Sequence, residues 1–187
     1  RGAGGGGGEM PMENSSQPAG SWLWGPWSGI ALKVALATFL IDQANKYWML
    51  YVYDLPSKGR VYVPPFLDLV FVKNIGISYS MFNQDSQSGQ YLLAAFACAV
   101  SLALWAWIAR AGESRLMAIS GALIIGGALG NALDRVLIGG VADFYSMHAF
   151  DFYWYVFNIA DVAIVAGVVG LLYDSYKSSR KDAAKPL

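Results

Sequence analysis

Four long apolar runs constrain this chain more than any other feature of its sequence. They cover residues 27–50, 91–109, 116–133 and 156–173. Each is close to or above the roughly 20 apolar residues that an α-helix needs to cross a bilayer. The chain is 56% hydrophobic and 14% charged, which is far more apolar than an ordinary soluble domain. We therefore predict a mainly α-helical integral membrane protein, with four transmembrane helices in a single domain over residues 27–173.

The segments between and beyond these runs carry weaker patterns. Residues 52–90 form a polar insertion, and its β-branched and aromatic stretches at 61–63 and 67–73 predict a small extracytoplasmic β-sheet between helices 1 and 2. In the connection 134–155, the stretch ADFYSMHAFDFYWY predicts an interfacial segment between helices 3 and 4. Residues 1–10 are typical of an engineered linker, 11–26 of an N-terminal interfacial segment, and 174–187 of a charged, frayed cytoplasmic tail.

The distribution of basic residues predicts the orientation of the spans. With four spans, both termini lie on one side together with seven basic residues, whereas the opposite loops carry four. Because basic residues accumulate on the cytoplasmic side of membrane proteins, we expect both termini in the cytoplasm.

Polar and ionisable side chains interrupt the apolar runs. With both termini in the cytoplasm, these side chains lie near the outer ends of the runs. Such groups are costly at membrane depth, so they are candidates for a functional site. Residues three or four apart lie on one helical face, which groups them further. The set comprises Asp42 and Lys46 near the end of the first run, Asn131, Asp134 and Arg135 at the end of the third, Asn158 and Asp161 at the start of the fourth, and Asp143 in the outer loop.

Asp161 is the strongest single candidate because it is the only carboxylate inside the fourth run. Asp134, Asp143 or Asp151 could each reach it. Two adjacent aspartates share one proton, so the ionised one can activate a water while the neutral one polarises a carbonyl. The competing interpretation is structural, with Asp161 capping a helix or neutralised by a nearby basic residue.

Other chemistries have little support in the sequence. The single cysteine, Cys98, lies in an apolar run, and one histidine, His148, leaves no obvious metal site or cofactor requirement. A formal net charge of zero gives no case for nucleic acid binding.

Several blocks resemble one known family. KNIGISYS (73–80), GGALGNALDR (126–135), VADF (141–144) and FNIAD (157–161), with DQANK (42–46), are similar to the blocks of the lipoprotein signal peptidases, the bacterial signal peptidase II family of membrane aspartyl proteases. The resemblance covers residues 28–173. It implies an enzyme of the bacterial inner membrane, with its active site near the outer leaflet, that cleaves diacylglyceryl prolipoproteins just before the lipidated cysteine. It also implies membrane lipid as a partner and inhibition by globomycin.

The same resemblance assigns roles to individual residues. It implies that Asp143 and Asp161 are the catalytic pair. The residues that it implies as supporting or lining the site are Asp42, Lys46, Asn74, Gly76, Gly127, Asn131, Arg135, Asn158 and Ala160.

Two other classes of function also fit membrane-embedded polar residues. A small proton-linked transporter would use them as a pathway, but they cluster at one end and no polar path crosses the bilayer. A non-catalytic lipid-binding protein would explain an outer site, but gives no reason for two aspartates to converge.

Overall fold

The computed structural model describes residues 23–76, 86–111, 114–150 and 152–183. In this part of the chain the helices are α1 (Ser28–Tyr47), α2 (Leu55–Lys58), α3 (Gln87–Ala111), α4 (Arg115–Ile138) and α5 (Ile159–Ala183). A π-helical turn, Trp48–Val52, continues α1. The strands are β1 (Val61–Val63), β2 (Leu67–Asn74), β3 (Val141–Ala149) and β4 (Phe152–Phe157).

Helix α4 lies at the centre of the bundle and packs against α1, α3 and α5. Its glycines permit this close packing. A Cβ at Gly126 would lie 2.5 Å from the carbonyl oxygen of Ala35 in α1, and one at Gly127 would lie 2.6 Å from that of Ala160 in α5. Small residues of this kind let helix backbones approach each other in lipid.

Both ends of α4 have a local cause. The Ser114 hydroxyl accepts a hydrogen bond from the Met117 backbone N–H at 2.9 Å and caps the first turn. The helix ends at Gly139, whose φ of 69° is left-handed and suits glycine. Because α4 runs five residues beyond the predicted span, Asp134 and Arg135 lie in its last turns, and β3 begins only two residues after Gly139.

The four strands form one antiparallel sheet in the order β1-β2-β3-β4. Strands β2 and β3 pair Asn74 with Val141 and Val72 with Asp143. Half of the sheet therefore comes from the predicted insertion, and half from the connection between α4 and α5. The prediction of strands in the insertion alone was wrong, because an aromatic stretch suits an interfacial segment and a strand equally well.

Three helices of the described part are long and apolar enough to cross a membrane: Gln87–Arg110, Arg115–Ile138 and Ile159–Lys181. Helix α1 does not meet that criterion. It carries an outward stripe of leucines, Leu32, Leu36 and Leu40, opposite the buried Asp42 and Lys46. The protein is thus a mainly helical bundle with three apolar helices and a small antiparallel sheet.

Helix α5 differs from its prediction at both ends. The predicted span began at residue 156, but residues 156 and 157 belong to β4, and Asn158 precedes the helix rather than lying on it. At the other end α5 continues to Ala183, through most of the tail that was expected to fray. One cause is a hydrogen bond of 2.8 Å from the Ser114 hydroxyl to Asp174, which ties this extension to the start of α4. The predicted linker at 1–10 lies outside the described residues.

Candidate active site

The predicted polar residues converge where one end of the helix bundle meets the sheet. The bundle contributes side chains from the end of α1, the last turns of α4 and the first turn of α5. The sheet contributes side chains from β2 and β3. Three helices and two strands therefore supply one cluster of polar side chains.

Asp143 lies on β3 and is only 2% exposed. Its carboxylate accepts a hydrogen bond of 2.6 Å from Asn158 Nδ2 on one oxygen and of 3.1 Å from Asn74 Nδ2 on the other. Burial, and secondarily the negative charge of Asp161, raises the pKa of Asp143 to about 7, although both amides oppose this by stabilising the charged form. Asp143 is thus a carboxyl group that can be protonated at neutral pH.

Asp161 lies in the first turn of α5 and forms a reciprocal cap with Asn158. The Asp161 backbone N–H donates to Asn158 Oδ1 at 3.0 Å, and the Asn158 backbone N–H donates to Asp161 Oδ2 at 3.2 Å. The other oxygen, Oδ1, accepts from Asn131 Nδ2 at 3.0 Å. Asp161 therefore caps the helix and also faces Asp143 across Asn158. The capping interpretation of Asp161 and its interpretation as a site residue are thus compatible.

Asn131, on α4, connects this pair to a positive charge. Its side-chain oxygen accepts from Lys46 Nζ at 2.9 Å and from Asn158 Nδ2 at 3.2 Å. Because both neighbours are donors, the oxygen of the amide must face them, and the NH₂ group must face Asp161. The orientation of this amide follows from the network.

Lys46 sits in a buried ion cluster with two carboxylates. Its Nζ lies 2.8 Å from Asp42 Oδ2 and 2.7 Å from Asp134 Oδ2. The second oxygen of Asp42 accepts from the Ala160 backbone N–H at 3.0 Å, which joins α1 to α5. The predicted Asp42–Lys46 pair is confirmed and extends to a third residue.

Asp134 is a partner of Lys46 and not of Asp161. Besides Lys46, it accepts a hydrogen bond from the Ala142 backbone N–H at 3.1 Å, next to Asp143 on β3. Gln43 Nε2 donates to its other oxygen at 3.1 Å and to the Gly130 carbonyl at 3.2 Å. Of the three partners that spacing allowed for Asp161, Asp134 is thus engaged elsewhere, and Asp151 lies outside the described residues.

Arg135 and Gly76 fix the segment that follows β2. The guanidinium donates to the Asn131 carbonyl at 3.1 Å and to the Gly76 carbonyl at 3.3 Å. Gly76 in turn donates its N–H to Asn74 Oδ1 at 3.1 Å, which holds the Asn74 amide toward Asp143. The predicted block KNIGISYS is described only as far as Gly76.

A cleft of about 680 Å³ opens beside these groups. Asp143 and Asp161 both reach it, together with Asn74, Asn131 and Arg135. Apolar residues of three helices, three strands and the segment after β2 form much of the remaining wall: Val72, Ile75, Ala97, Ala128, Val141, Val156, Ile164 and Val165. A chain with apolar side chains could therefore place a backbone carbonyl beside two carboxyl groups.

Sequence reasoning missed two contributors to this region. Gln43 bridges α1 and α4 within the ion cluster, although its position beside Asp42 was a usable signal. The pair Asn45–Tyr145, joined by a hydrogen bond of 2.8 Å, links α1 to β3 and could not be found from spacing, since the residues are 100 positions apart. Among the described residues, no group of three His, Cys, Asp or Glu side chains could hold a metal ion.

The fold and the cleft define a helical bundle of membrane type with a buried pair of carboxyl groups at one end. Two solved structures share this fold, each a bacterial membrane enzyme studied by the in meso method. One has a TM-score of 0.69 at 24% identity, covering 85% of this chain and 94% of that one. The other has a TM-score of 0.66 at 25% identity, covering 78% and 92%.

Comparisons of sequence are more specific. Residues 34–177 match the family model described as Signal peptidase (SPase) II. A lipoprotein signal peptidase of Methylobacterium sp. (strain 4-46) is 49% identical over 156 residues, which are 83% of this chain and 94% of the relative. The lipoprotein signal peptidase of Nitrobacter hamburgensis is 48% identical over 162 residues, 84% of this chain and 96% of the relative. The chain belongs to the signal peptidase II family.

Proposed function

We propose that this protein is a membrane aspartic endopeptidase that removes signal peptides from prolipoproteins. Membership of the signal peptidase II family supports a peptidase, and the relatives named lipoprotein signal peptidase support this substrate class. The observation that carries the mechanism is the single side chain, Asn158, that bridges Asp143 and Asp161 at the wall of the cleft.

The two carboxyl groups take different roles in this proposal. Asp161 lies at the N-terminus of α5, where the helix dipole favours a negative charge. Asp143 has its pKa raised to about 7 by burial and by the nearby Asp161. Asp161 is therefore assigned as the base, and Asp143 as the holder of the shared proton.

The reaction follows from that division. Asp161 takes a proton from a water molecule as the water oxygen bonds to the scissile carbonyl carbon, and Asp143 gives its proton to the carbonyl oxygen. The tetrahedral diol then collapses: the ionised Asp143 takes back a hydroxyl proton, the carbon–nitrogen bond breaks, and Asp161 delivers its proton to the leaving amine. The pair returns to its starting state, with one water consumed per bond.

The amides around the pair position it rather than react. Asn131 and Asn158 orient Asp161, whereas Asn74 and Asn158 orient Asp143. The ion cluster of Asp42, Lys46 and Asp134 holds Asn131 in place. Arg135, through Gly76, supports the wall of the cleft from the side of β2.

The membrane arrangement completes the proposal. Helix α1 is taken as a fourth span, since its leucine stripe faces outward and its charged residues are buried against α4 and α5. Both termini are then cytoplasmic, and the cleft lies near the outer leaflet of the bacterial inner membrane. Cleavage occurs just before the diacylglyceryl cysteine, whose acyl chains stay in the outer leaflet, and globomycin occupies the same cleft.

The decisive experiment is cleavage of a purified diacylglyceryl prolipoprotein, followed by gel mobility. Asp143→Asn and Asp161→Asn should each abolish cleavage while the protein still binds globomycin, and the double variant should be no worse than either single one because the two residues act as a unit. Asp174→Asn, a carboxylate at the far end of α5, is the matched control and should cleave normally. Normal cleavage by Asp143→Asn, with loss in Asp134→Asn or Asp151→Asn, would show a different partner for Asp161.

A further inference from the structure

The last turns of α5 carry a face that is both basic and aromatic. A shallow depression of about 350 Å³ is lined by Tyr173, Tyr176, Lys177, Arg180 and Lys181. These residues are three or four positions apart, so they lie on one side of the helix, and all five are exposed. This face lies at the opposite end of α5 from Asp161 and has no part in the proposed reaction.

Charge is segregated around this part of α5. By helical geometry, Ser175, Ser178 and Ser179 occupy the side opposite the basic face. Asp174 is engaged with Ser114, through the hydrogen bond that ties α5 to α4. Among the carboxylates whose side chains the structure describes, which end at Asp174 in this helix, none forms an ion pair with Lys177, Arg180 or Lys181. The three positive charges therefore lie together on one side of the helix, without an ion pair to any of those carboxylates.

The depth of this face matches a membrane boundary. Lys181 lies 20 positions after Asp161, which corresponds to about 30 Å of helix and to about the thickness of the hydrocarbon core. Tyrosine and basic residues are typical of that level, where rings sit among headgroups and long basic side chains reach the phosphates. Toward the membrane interior, Val169 and Leu172 lie four positions before Tyr173 and Tyr176 and are exposed, so they continue this side of the helix.

We propose that this face binds an anionic phospholipid in the leaflet opposite the cleft. The headgroup phosphate lies among Lys177, Arg180 and Lys181, where a guanidinium can donate two parallel hydrogen bonds. The Arg180 guanidinium already lies 5.9 Å from the Tyr176 ring centre, which places it beside an aromatic wall. One acyl chain runs along the exposed apolar side chains of Leu172 and Val169. The face thus provides both parts of a lipid-binding site.

The test compares lipid retention by the full chain in mixed phosphatidylcholine and phosphatidylglycerol nanodiscs. Native mass spectrometry of the released protein measures which lipid stays bound. The wild type should retain phosphatidylglycerol, and the triple variant Lys177→Gln, Arg180→Gln, Lys181→Gln should lose that preference by at least about tenfold, since each basic group near a headgroup contributes substantially to binding. Added inorganic phosphate should leave retention unchanged. Displacement by phosphate would mean that the site takes a free anion, which overturns the lipid assignment.

A charge-moved variant is the matched control. It combines Lys177→Ser, Arg180→Ser and Lys181→Ser with Ser175→Lys, Ser178→Lys and Ser179→Lys, so the helix end keeps three positive charges on the opposite side. This variant should lose retention as the triple variant does. Equal retention of phosphatidylglycerol by the wild type and either variant would overturn the proposal. Binding would then not depend on these three residues in this arrangement. Prolipoprotein cleavage, far from this face, reports that each variant is folded and inserted.

Discussion

Asn158 donates a hydrogen bond of 2.6 Å to Asp143, and this contact places the carboxyl group of a strand beside the first turn of a helix. The same side chain caps α5 with its oxygen, which accepts from the Asp161 backbone N–H. A side chain that donates on one side and accepts on the other is required here, and an amide meets that requirement in one planar group. The cap and the carboxyl pair therefore depend on the same residue.

Asn158→Asp separates these two roles. Aspartate is as good an N-cap as asparagine, so α5 should keep its stability. It cannot donate to Asp143 or to Asn131, however, and it adds a carboxylate beside the pair. We expect the rate of prolipoprotein cleavage to fall by at least about tenfold, because both hydrogen bonds that the Asn158 amide donates are lost. Thermal denaturation followed by circular dichroism checks the cap; a large fall in melting temperature would mean that the variant fails for structural reasons.

The pH dependence of cleavage should have an alkaline limb set by Asp143. The pair is active while it holds one proton, and the pKa of Asp143 is raised to about 7, mainly by burial. Activity should therefore fall as the pH rises through about 7, when the pair becomes doubly ionised. Asn74 donates to the Asp143 carboxylate and lowers its pKa, so Asn74→Leu should move this limb to higher pH. Rate profiles of the two proteins measure the shift, and a limb that stays in place would contradict the assignment.

Gly127 tests the close approach of α4 and α5. A Cβ at this position would lie 2.6 Å from the Ala160 carbonyl oxygen and 2.9 Å from Ile164, so Gly127→Ala should force the helices apart. Overpacking of this kind costs about 1–3 kcal/mol. It should also separate Asn131 from Asp161 and reduce cleavage.

Gly29→Ala is the control for this prediction. Gly29 lies on α1, and a Cβ there would meet nothing within 4 Å. Alanine should therefore be neutral or stabilise α1 by up to about 1 kcal/mol, through its higher helix propensity. Thermal denaturation in detergent compares the two variants, and equal melting temperatures would show that the α4–α5 contact is not tight.

The sequence could predict contacts within one helix and which helix ends carry polar residues. The Asp42–Lys46 pair follows from i, i+4 spacing, and the contact of Asn131 with Asp161 agrees with two antiparallel helices that meet at one end. The partner of Asp161 did not follow, because Asp134 and Asp143 are nine residues apart and both can reach this end of the bundle. Their separation depends on Lys46 of α1, which binds Asp134 across the α1–α4 interface.

Strands β3 and β4, the second half of the sheet, could not be predicted from the sequence pattern either. The first four residues of β3 are all buried, and two of them, Ala142 and Phe144, pack against Met49 of the π-helical turn and Leu55 of α2. This removes the alternation by which a strand is recognised. The aromatic side chains of β4, such as Trp154 and Tyr155, are exposed, which is why the segment resembled an interfacial one.

Arg135→Lys tests whether the guanidinium fork is needed. Arg135 donates from its two terminal nitrogens to two carbonyls, those of Asn131 and Gly76, that lie on different segments. Lysine keeps the charge but has no planar fork, so it cannot hold both carbonyls in this geometry. We expect a marked loss of cleavage, about tenfold or more for each hydrogen bond to a charged group. Full activity in the lysine variant would mean that only the positive charge of Arg135 at the end of α4 is needed, and not its two hydrogen bonds.

The last prediction concerns Lys46, which balances two buried carboxylates. Lys46→Met keeps a similar volume but leaves Asp42 and Asp134 buried without their cation, and breaking such a cluster costs about 3–5 kcal/mol. Neutralising the carboxylates in the triple variant Lys46→Met, Asp42→Asn, Asp134→Asn should restore much of the lost stability, since no uncompensated charge remains. Melting temperatures of the single and triple variants measure this recovery.

Activity should not recover with stability. Lys46 also donates to Asn131 Oδ1 at 2.9 Å, and this contact helps to turn the NH₂ group of that amide toward Asp161. Methionine cannot donate, so the amide loses one of the two donors that set its orientation, and Asp161 loses a fixed partner. The triple variant should therefore be stable yet cleave prolipoprotein poorly. Wild-type cleavage by that stable variant would mean that the ion cluster only holds the helices together and that Lys46 does not position the site.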